Sequence, residues 1–334
     1  MRIKYSERFI VVTGLQIKSG ESLLSFATMK KRVAIIDMGT NTFHLLIADS
    51  EEGQRRIIYQ DRLVTKIGLG GINEGIITEA GMDRAITGLK TFKEVIDKYQ
   101  VDQISAFGTS AIRNAKNGPE IIRQIKELGM DARIISGDEE AQLIYYGVRS
   151  AMDPGLDTSL IMDIGGGSVE FIIADQKEIF WKQSLDIGAQ RLLEKFHTHD
   201  PLLQSEIEEL DLYLGEELRP VFKELQKHNP QTLVGSSGTF DTLSDIYCID
   251  QNISKQLTDP EIPLTFEAFY KIYHQLIISN RAERMRIPGM IEMRVDMIVV
   301  ACCLIRYIIQ RHTFSHVRVS TYALKEGVLA SAIT

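Results

Sequence analysis

The chain has 334 residues, 44% of them hydrophobic and 25% charged, with a net charge of -7 and a pI near 5.6. That is enough apolar side chain for two cores, and more length than one core usually carries, so two domains are expected. The acidic balance excludes a protein that grips a nucleic-acid polymer by overall charge, and no apolar run reaches a membrane span, the stretch from Met297 to Ile309 being short and broken by Arg306.

The first 28 residues carry Arg2, Lys4, Arg8 and the apolar Phe9 to Val12 but no small-residue cleavage site, and read as a loosely attached N-terminal extension rather than a signal peptide. Compact structure is expected from Met29. Val33 to Asp49 then gives an apolar stretch, Asp37, Gly39, a polar turn through Asn41 and Thr42, and a second apolar stretch, which is two strands joined by a tight turn. Arg55 to Thr65 continues as a third strand, and the glycine-rich Leu69 to Ile77 reads as a loop. Ala85, Leu89, Phe92 and Ile96 mark an amphipathic helix after Thr78. Two short strands, Gln103 to Gly108 and Ala132 to Ile135, flank a helix over Gly118 to Gly129, with Arg113 at a loop or first helical turn between them. Ser136 opens a helix whose first turn holds Asp138, Glu139 and Glu140, acids that the positive end of the helix dipole favours.

The opening pattern recurs 126 positions later. Ser159 to Asp175 repeats apolar stretch, Asp163, Gly165, turn and apolar stretch, now with Gly166, Gly167 and Ser168 in the turn and Glu170 where the first copy has His44. One long period in a chain of this length means a duplicated domain rather than a solenoid. A strand over Glu178 to Gly188, a helix over Ala189 to Phe196 and a longer helix over Glu206 to Leu225 follow, the last interrupted at Pro220. Thr232 to Gly235 is a strand entering Ser236-Ser237-Gly238-Thr239, a turn that opens a helix and so offers N–H groups and hydroxyls to an anion. Helices are expected over Leu264 to Ser279 and Val295 to Gln310, a strand over Ser315 to Thr321, and a last helix from Ala323 to Ile333. Arg281, Arg284, Arg286 and Arg294 stand close together, either as helix-capping cations or as a positive wall for a long anion. Cys248, Cys302 and Cys303 form neither a disulfide scaffold nor a zinc spacing, which suits a reducing, cytoplasmic setting.

Two Asp-Gly turns facing each other, with a Gly/Ser/Thr turn beside them, describe a site for a phosphate chain. Phosphoryl transfer is chiefly positioning and charge neutralisation. Asp37 and Asp163 suit a hydrated Mg2+ (or Mn2+), held directly or through its waters, and Glu170 returns from the turn towards the same ion.

These motifs resemble the exopolyphosphatase and guanosine-pentaphosphate phosphohydrolase family, in a short two-domain form, within the actin-like, sugar-kinase and heat-shock ATPase (ASKHA) superfamily. The resemblance rests on Asp37-Met-Gly-Thr-Asn-Thr-Phe-His-Leu, Gly108-Thr-Ser-Ala-Ile-Arg113, Ser136-Gly-Asp-Glu-Glu-Ala, Asp163-Ile-Gly-Gly-Gly-Ser-Val-Glu170, Gly235-Ser-Ser-Gly-Thr239 and Pro288-Gly289 with Arg294-Val-Asp296. It implies an α/β fold of two duplicated actin-like, ribonuclease H-like domains, residues 29–152 and 153–334, facing across a cleft. It further implies that Glu140 acts on the nucleophilic water, with Glu139 as the register alternative, and that Asp163 and Glu170, assisted by Asp37, organise the metal. Arg113 would bind phosphate, and Asn41, Thr42, Gly166, Gly167, Ser168, Ser237 and Gly238 would line its cradle. The implied partners are inorganic polyphosphate or guanosine pentaphosphate, with a homodimer open and neither nucleic-acid polymer nor membrane involved. Val169, Val295, Ala323 and Lys325 depart from the residues frequent there, and the chain stops at the second domain, which leaves preference for long chains open. An ATP-dependent kinase of the same superfamily, or a sensor that binds without turnover, are the alternatives.

Overall fold

A computed structural model describes residues 31–51, 54–152, 155–256 and 258–331; the expected N-terminal extension lies outside them. The first half runs β1 (Lys31–Met38), β2 (Thr42–Glu51), β3 (Gln54–Val64), α1 (Glu79–Lys98), β4 (Gln103–Gly108), α2 (Ser110–Asn114), α3 (Gly118–Glu127), β5 (Ala132–Ile134) and α4 (Gly137–Ala151). The second runs β6 (Ser159–Ile164), β7 (Val169–Ala174), β8 (Ile179–Leu185), α5 (Ala189–Phe196), α6 (Gln204–Glu217), α7 (Arg219–His228), β9 (Thr232–Ser236), α8 (Ser237–Asp250), β10 (Glu261–Ile262), α9 (Phe266–Ile278), α10 (Arg281–Arg284), α11 (Met297–Ile309), β11 (His316–Ser320) and α12 (Leu324–Ser331).

The sheets are built on one plan. The first has the order β3-β2-β1-β4-β5, and the second extends the same order, β8-β7-β6-β9-β11, with β10 added at its edge. In both, the first three strands are antiparallel neighbours and the next two joins are parallel, β10 then adding antiparallel to β11. This is the duplicated two-domain α/β architecture of the actin-like superfamily. Pro220 separates α6 from α7 and sits in the first turn of the latter, where its missing N–H costs nothing.

Period-two alternation decides what each strand buries. Ala34, Ile36 and Met38 point into one core with α1 and α3, while Ile35 points the other way; Leu160, Met162 and Ile164 likewise divide from Ile161. The residues facing the other way form a third core shared by both sheets, filled by Leu143, Ile144, Tyr145 and Val148 of α4 and Leu324 and Leu329 of α12. These two helices lie between the sheets and cross on glycines: a Cβ on Gly147 would collide with Ala323 O, and one on Gly327 with Leu143 O. Their N-terminal turns therefore open on the gap between the sheets, where the C-terminal ends of β1 and β6 also arrive. Among the described residues no helix is long and apolar enough to cross a membrane.

Candidate active site

Register places the two turns in equivalent settings. Asp37 pairs across β1 and β2 with His44, and Asp163 pairs across β6 and β7 with Glu170. In each turn the glycine N–H closes on the strand that follows, Gly39 to Thr42 O and Gly165 to Ser168 O, both at 3.1 Å. Both turns are pinned from behind through their carbonyls. Gly68 N–H donates to Thr40 O and Lys66 N–H to Asn41 O; Ala189 and Gln190 N–H donate to Gly165 O and Gly166 O. The turns touch: a Cβ on Gly166 would stand 2.5 Å from Asn41 Nδ2, and one on Gly167 2.6 Å from Thr40 Oγ1 and 2.7 Å from Ser110 Oγ. Gly166 and Gly167 are thus required by close approach to the other turn.

A cavity of about 140 Å³ lies beside this contact, lined by both turns, Glu140 of α4, Ser237, Gly238 and Asp241 of α8, and Arg62, Arg294 and Lys325. Asp163 accepts from Ser236 Oγ at 2.6 Å and from Ser237 Oγ at 2.7 Å, Ser237 opening α8 with a left-handed φ of 68° that a side chain adopts only under constraint. Glu170 accepts from Ser184 Oγ at 2.6 Å. Glu140, 7% exposed, accepts from Arg113 Nη1 at 2.7 Å.

Burial pushes every one of these carboxyls up. Asp37 rises to about 8, burial being reinforced by Glu140 and opposed by Lys325. Glu140 rises to about 7 although Arg113 works against it. Asp163 is raised despite its two serine hydroxyls, and Glu170 well above the carboxylate range by burial and then by Glu140 and Asp163. Asp241 reaches about 7. Burial lowers Arg294 and holds His44 neutral, Lys325 and Arg62 adding to the effect on the imidazole. For Lys325 burial is outweighed by Glu326, Asp37 and Asp241, which keep it above the usual lysine value. The cavity is a place where negative charge is held at a cost and extra cations are favoured.

The structure brings Asp37, Asn41, Thr42, Glu140, Asp163, Gly166, Gly167, Ser168, Glu170, Ser237 and Gly238 onto one cavity wall. It corrects two expectations. Glu139 does not join them: one residue before Glu140 on the helix, it points outward into an ion pair with Arg133. Arg113 stands behind Glu140, its Nη1 shared between that carboxylate and Ile135 O, rather than on the cavity lining. The basic run from Arg281 to Arg294 is not a continuous wall either. Arg284 is buried against Asp200, Ser279 O and Val295 O, Arg281 pairs with Asp296, and Arg294 is the member that lies in the cleft, stacked on Gly238. Arg62, Asp241 and Lys325 were not assigned from sequence. Arg62 was within reach of it, because it pairs across β2 and β3 with His44.

The donors that a metal would meet are oxygens, as a hard cation requires, and Asn41 Oδ1 and Thr42 Oγ1 are buried without partners beside Asp37. Among the described residues no three His, Cys, Asp or Glu side chains converge as a cage. Oxygen donors spaced in this way would suit an ion that keeps most of its waters, as Mg2+ does.

With this geometry in view, comparison with known proteins is specific. Residues 46–334 match the profile of the Ppx/GppA phosphatase family. The crystal structure of an exopolyphosphatase from Cytophaga hutchinsonii is similar at a TM-score of 0.87 and 43% identity, over 91% of this chain and 98% of that one. The Ppx/GppA enzyme of Aquifex aeolicus is similar at 0.73 and 28% identity, over 91% of this chain and 100% of that one.

Proposed function

The chain belongs to the Ppx/GppA phosphatase family, and we propose that its cleft releases terminal phosphate from inorganic polyphosphate in a metal-dependent reaction, with guanosine pentaphosphate as a second substrate. At the coarser level it is an enzyme that hydrolyses phosphoric anhydrides of the polyphosphate kind. The observation that carries the finer reading is the buried Glu140 carboxylate, held by Arg113 and facing a cavity whose other walls are two Asp-Gly turns.

In this reading the end of the phosphate chain enters the cavity beside the contact between the turns. Arg294, Arg62 and Lys325 neutralise its charge, and the turns with Ser237 and Gly238 hold its oxygens. Arg113 keeps Glu140 oriented so that its free oxygen accepts the proton of the attacking water. A carboxyl titrating near neutrality is suited to that task. Mg2+ or Mn2+ near Asp37, Asp163 and Glu170 supplies further charge neutralisation when bound. The close contact of Gly166 and Gly167 with Thr40, Asn41 and Ser110 favours attack at a chain end over passage of the chain through the cleft.

The test measures orthophosphate release from short polyphosphate, long polyphosphate, guanosine pentaphosphate and ATP, with Mg2+ and with chelator. Release from polyphosphate that stops on chelation supports the reading. Inertness towards all four refutes it, and release from ATP alone moves the chain to the nucleotide-dependent branch of the superfamily.

A further inference from the structure

Asp241 lines the cleft but has no part in the mechanism above. Asp241 Oδ1 and Arg294 Nε both lack a hydrogen-bond partner although the two side chains line the same cavity and feel each other's charge. Across from them Asn41 is 6% exposed, its Nδ2 is turned to Met297 Sδ at 3.5 Å, and its Oδ1 is unpartnered. Arg294 Nη1 reaches the same sulfur at 3.6 Å, so the two walls meet there.

A phosphate chain brings almost only acceptors. It satisfies Arg294 Nε but gives nothing to a carboxylate oxygen or an amide oxygen. Asp241 Oδ1 and Asn41 Oδ1 need a ligand that carries hydrogens. The lining also sets five carboxylates, Asp37, Glu140, Asp163, Glu170 and Asp241, against the cations Arg62, Arg294 and Lys325. The water shell of a divalent cation answers both demands, since its O–H groups point outward as donors and its charge offsets the surplus.

We propose that Asp241 and Asn41 hold a hydrated divalent cation through its bound waters, Asp241 being an outer-shell carboxylate of the metal site beyond Asp37, Asp163 and Glu170. This rests on the metal-dependent reading above. It makes Asp241 a positioning residue for the ion rather than a phosphate ligand, and it accounts for a carboxylate standing where the substrate alone would only be repelled.

The experiment titrates the full-length protein with Mn2+, following free Mn2+ by its paramagnetic resonance signal, and separately titrates orthophosphate by calorimetry without metal. Asp241→Asn is compared with wild type and with Asp245→Asn, one turn along α8 and paired outside with Lys255. Asp241→Asn is expected to weaken Mn2+ binding about tenfold, the range seen when outer-shell partners are lost. Metal-free orthophosphate binding should stay level or tighten, and Asp245→Asn should match wild type. Should Asp241→Asn fail to fold, Asn41→Ser puts the same question from the opposite wall. Unchanged Mn2+ affinity in a folded, phosphate-releasing Asp241→Asn overturns the assignment and leaves the hydrolase reading intact. Weaker orthophosphate binding with unchanged Mn2+ affinity also overturns it, making Asp241 a counter-ion of Arg294. A wild type that binds no Mn2+ and releases phosphate in chelator overturns the metal dependence together with this site.

Discussion

Replacing Glu140 by Gln separates catalysis from stability, because the structure makes the two effects opposite in sign. The amide keeps the volume and an oxygen for the Arg113 bond but cannot accept the proton of water. Loss of a positioned base costs about 10²- to 10⁴-fold in turnover, or roughly 3–5 kcal/mol of barrier. Stability should move the other way. The folded carboxyl is raised from its ordinary 4.5 to about 7, so ionised Glu140 disfavours folding, by an amount on the order of 3 kcal/mol. A raised folded value means that its contribution is intact below about 4.5 and is lost as pH rises through about 7. Glu140→Gln and wild type should therefore unfold alike at pH 4.5, and the variant should be the more stable at pH 8. Thermal unfolding of metal-free protein across that range, with orthophosphate release at pH 8, checks both halves. Turnover within threefold of wild type removes Glu140 as the base. A variant less stable than wild type at pH 8 would falsify the claim that the site holds this charge at a cost. Glu139→Gln is the control, since its exposed pair with Arg133 should change neither quantity appreciably.

Gly167→Ala would push a methyl against Thr40 Oγ1 and Ser110 Oγ, and is expected to cost about 1–3 kcal/mol in denaturant unfolding and to lower phosphate release by spreading the turns. Asp200→Ala takes the nearer carboxylate from the buried Arg284 guanidinium and leaves Asp296 at 3.9 Å; a loss of about 1–3 kcal/mol is expected with KM for polyphosphate unchanged, and a raised KM would return the basic run to the substrate path. Glu206, although burial works against its charge, is held down to about 2 by Thr198, Leu203 and His199, so its contribution is present above the ordinary carboxylate value and lost as pH falls towards 2. Glu206→Gln should accordingly destabilise the protein by about 1.5–3 kcal/mol at pH 7, with the gap closing in acid; a gap independent of pH would count against the depressed value.

What the sequence made legible follows the range of each signal. The duplicated hairpins could be read because strand, carboxylate, glycine and strand are contiguous, and the register then follows from the turn. Glu140 was reached through a motif, but choosing it over Glu139 needed helix phase: on α4 the two residues differ by about 100°, one facing the cleft and the other Arg133. Asp241 and Lys325 stayed hidden because their place depends on β9 lying next to β6 and β11 next to β9 in the sheet, long-range pairings without a local trace. The arginine cluster misled for the converse reason. Nearness in sequence says nothing about which guanidinium is buried and consumed by a distant aspartate, as Arg284 is by Asp200.

The two helices between the sheets sharpen the point about duplication. α4 follows the last parallel strand of the first sheet and α12 follows β11, its equivalent in the second, so each occupies the same slot in its half. Their first turns nevertheless carry opposite charge into the cleft. Glu140 lies where a helix N-terminus favours an acid, whereas Lys325 is a cation at the positive end of a helix, unfavourable by about 0.3–1 kcal/mol and offset locally by Glu326 at 2.8 Å. A residue that breaks the local rule and is repaired by its neighbour is placed by the demands of the site rather than of the helix. The same holds at the turns, where one register position is His44 in the first copy and Glu170 in the second. Symmetry builds the cleft, and the positions where the copies diverge line it with unlike groups, Glu140 and Lys325 on the helices and His44 and Glu170 at the turns.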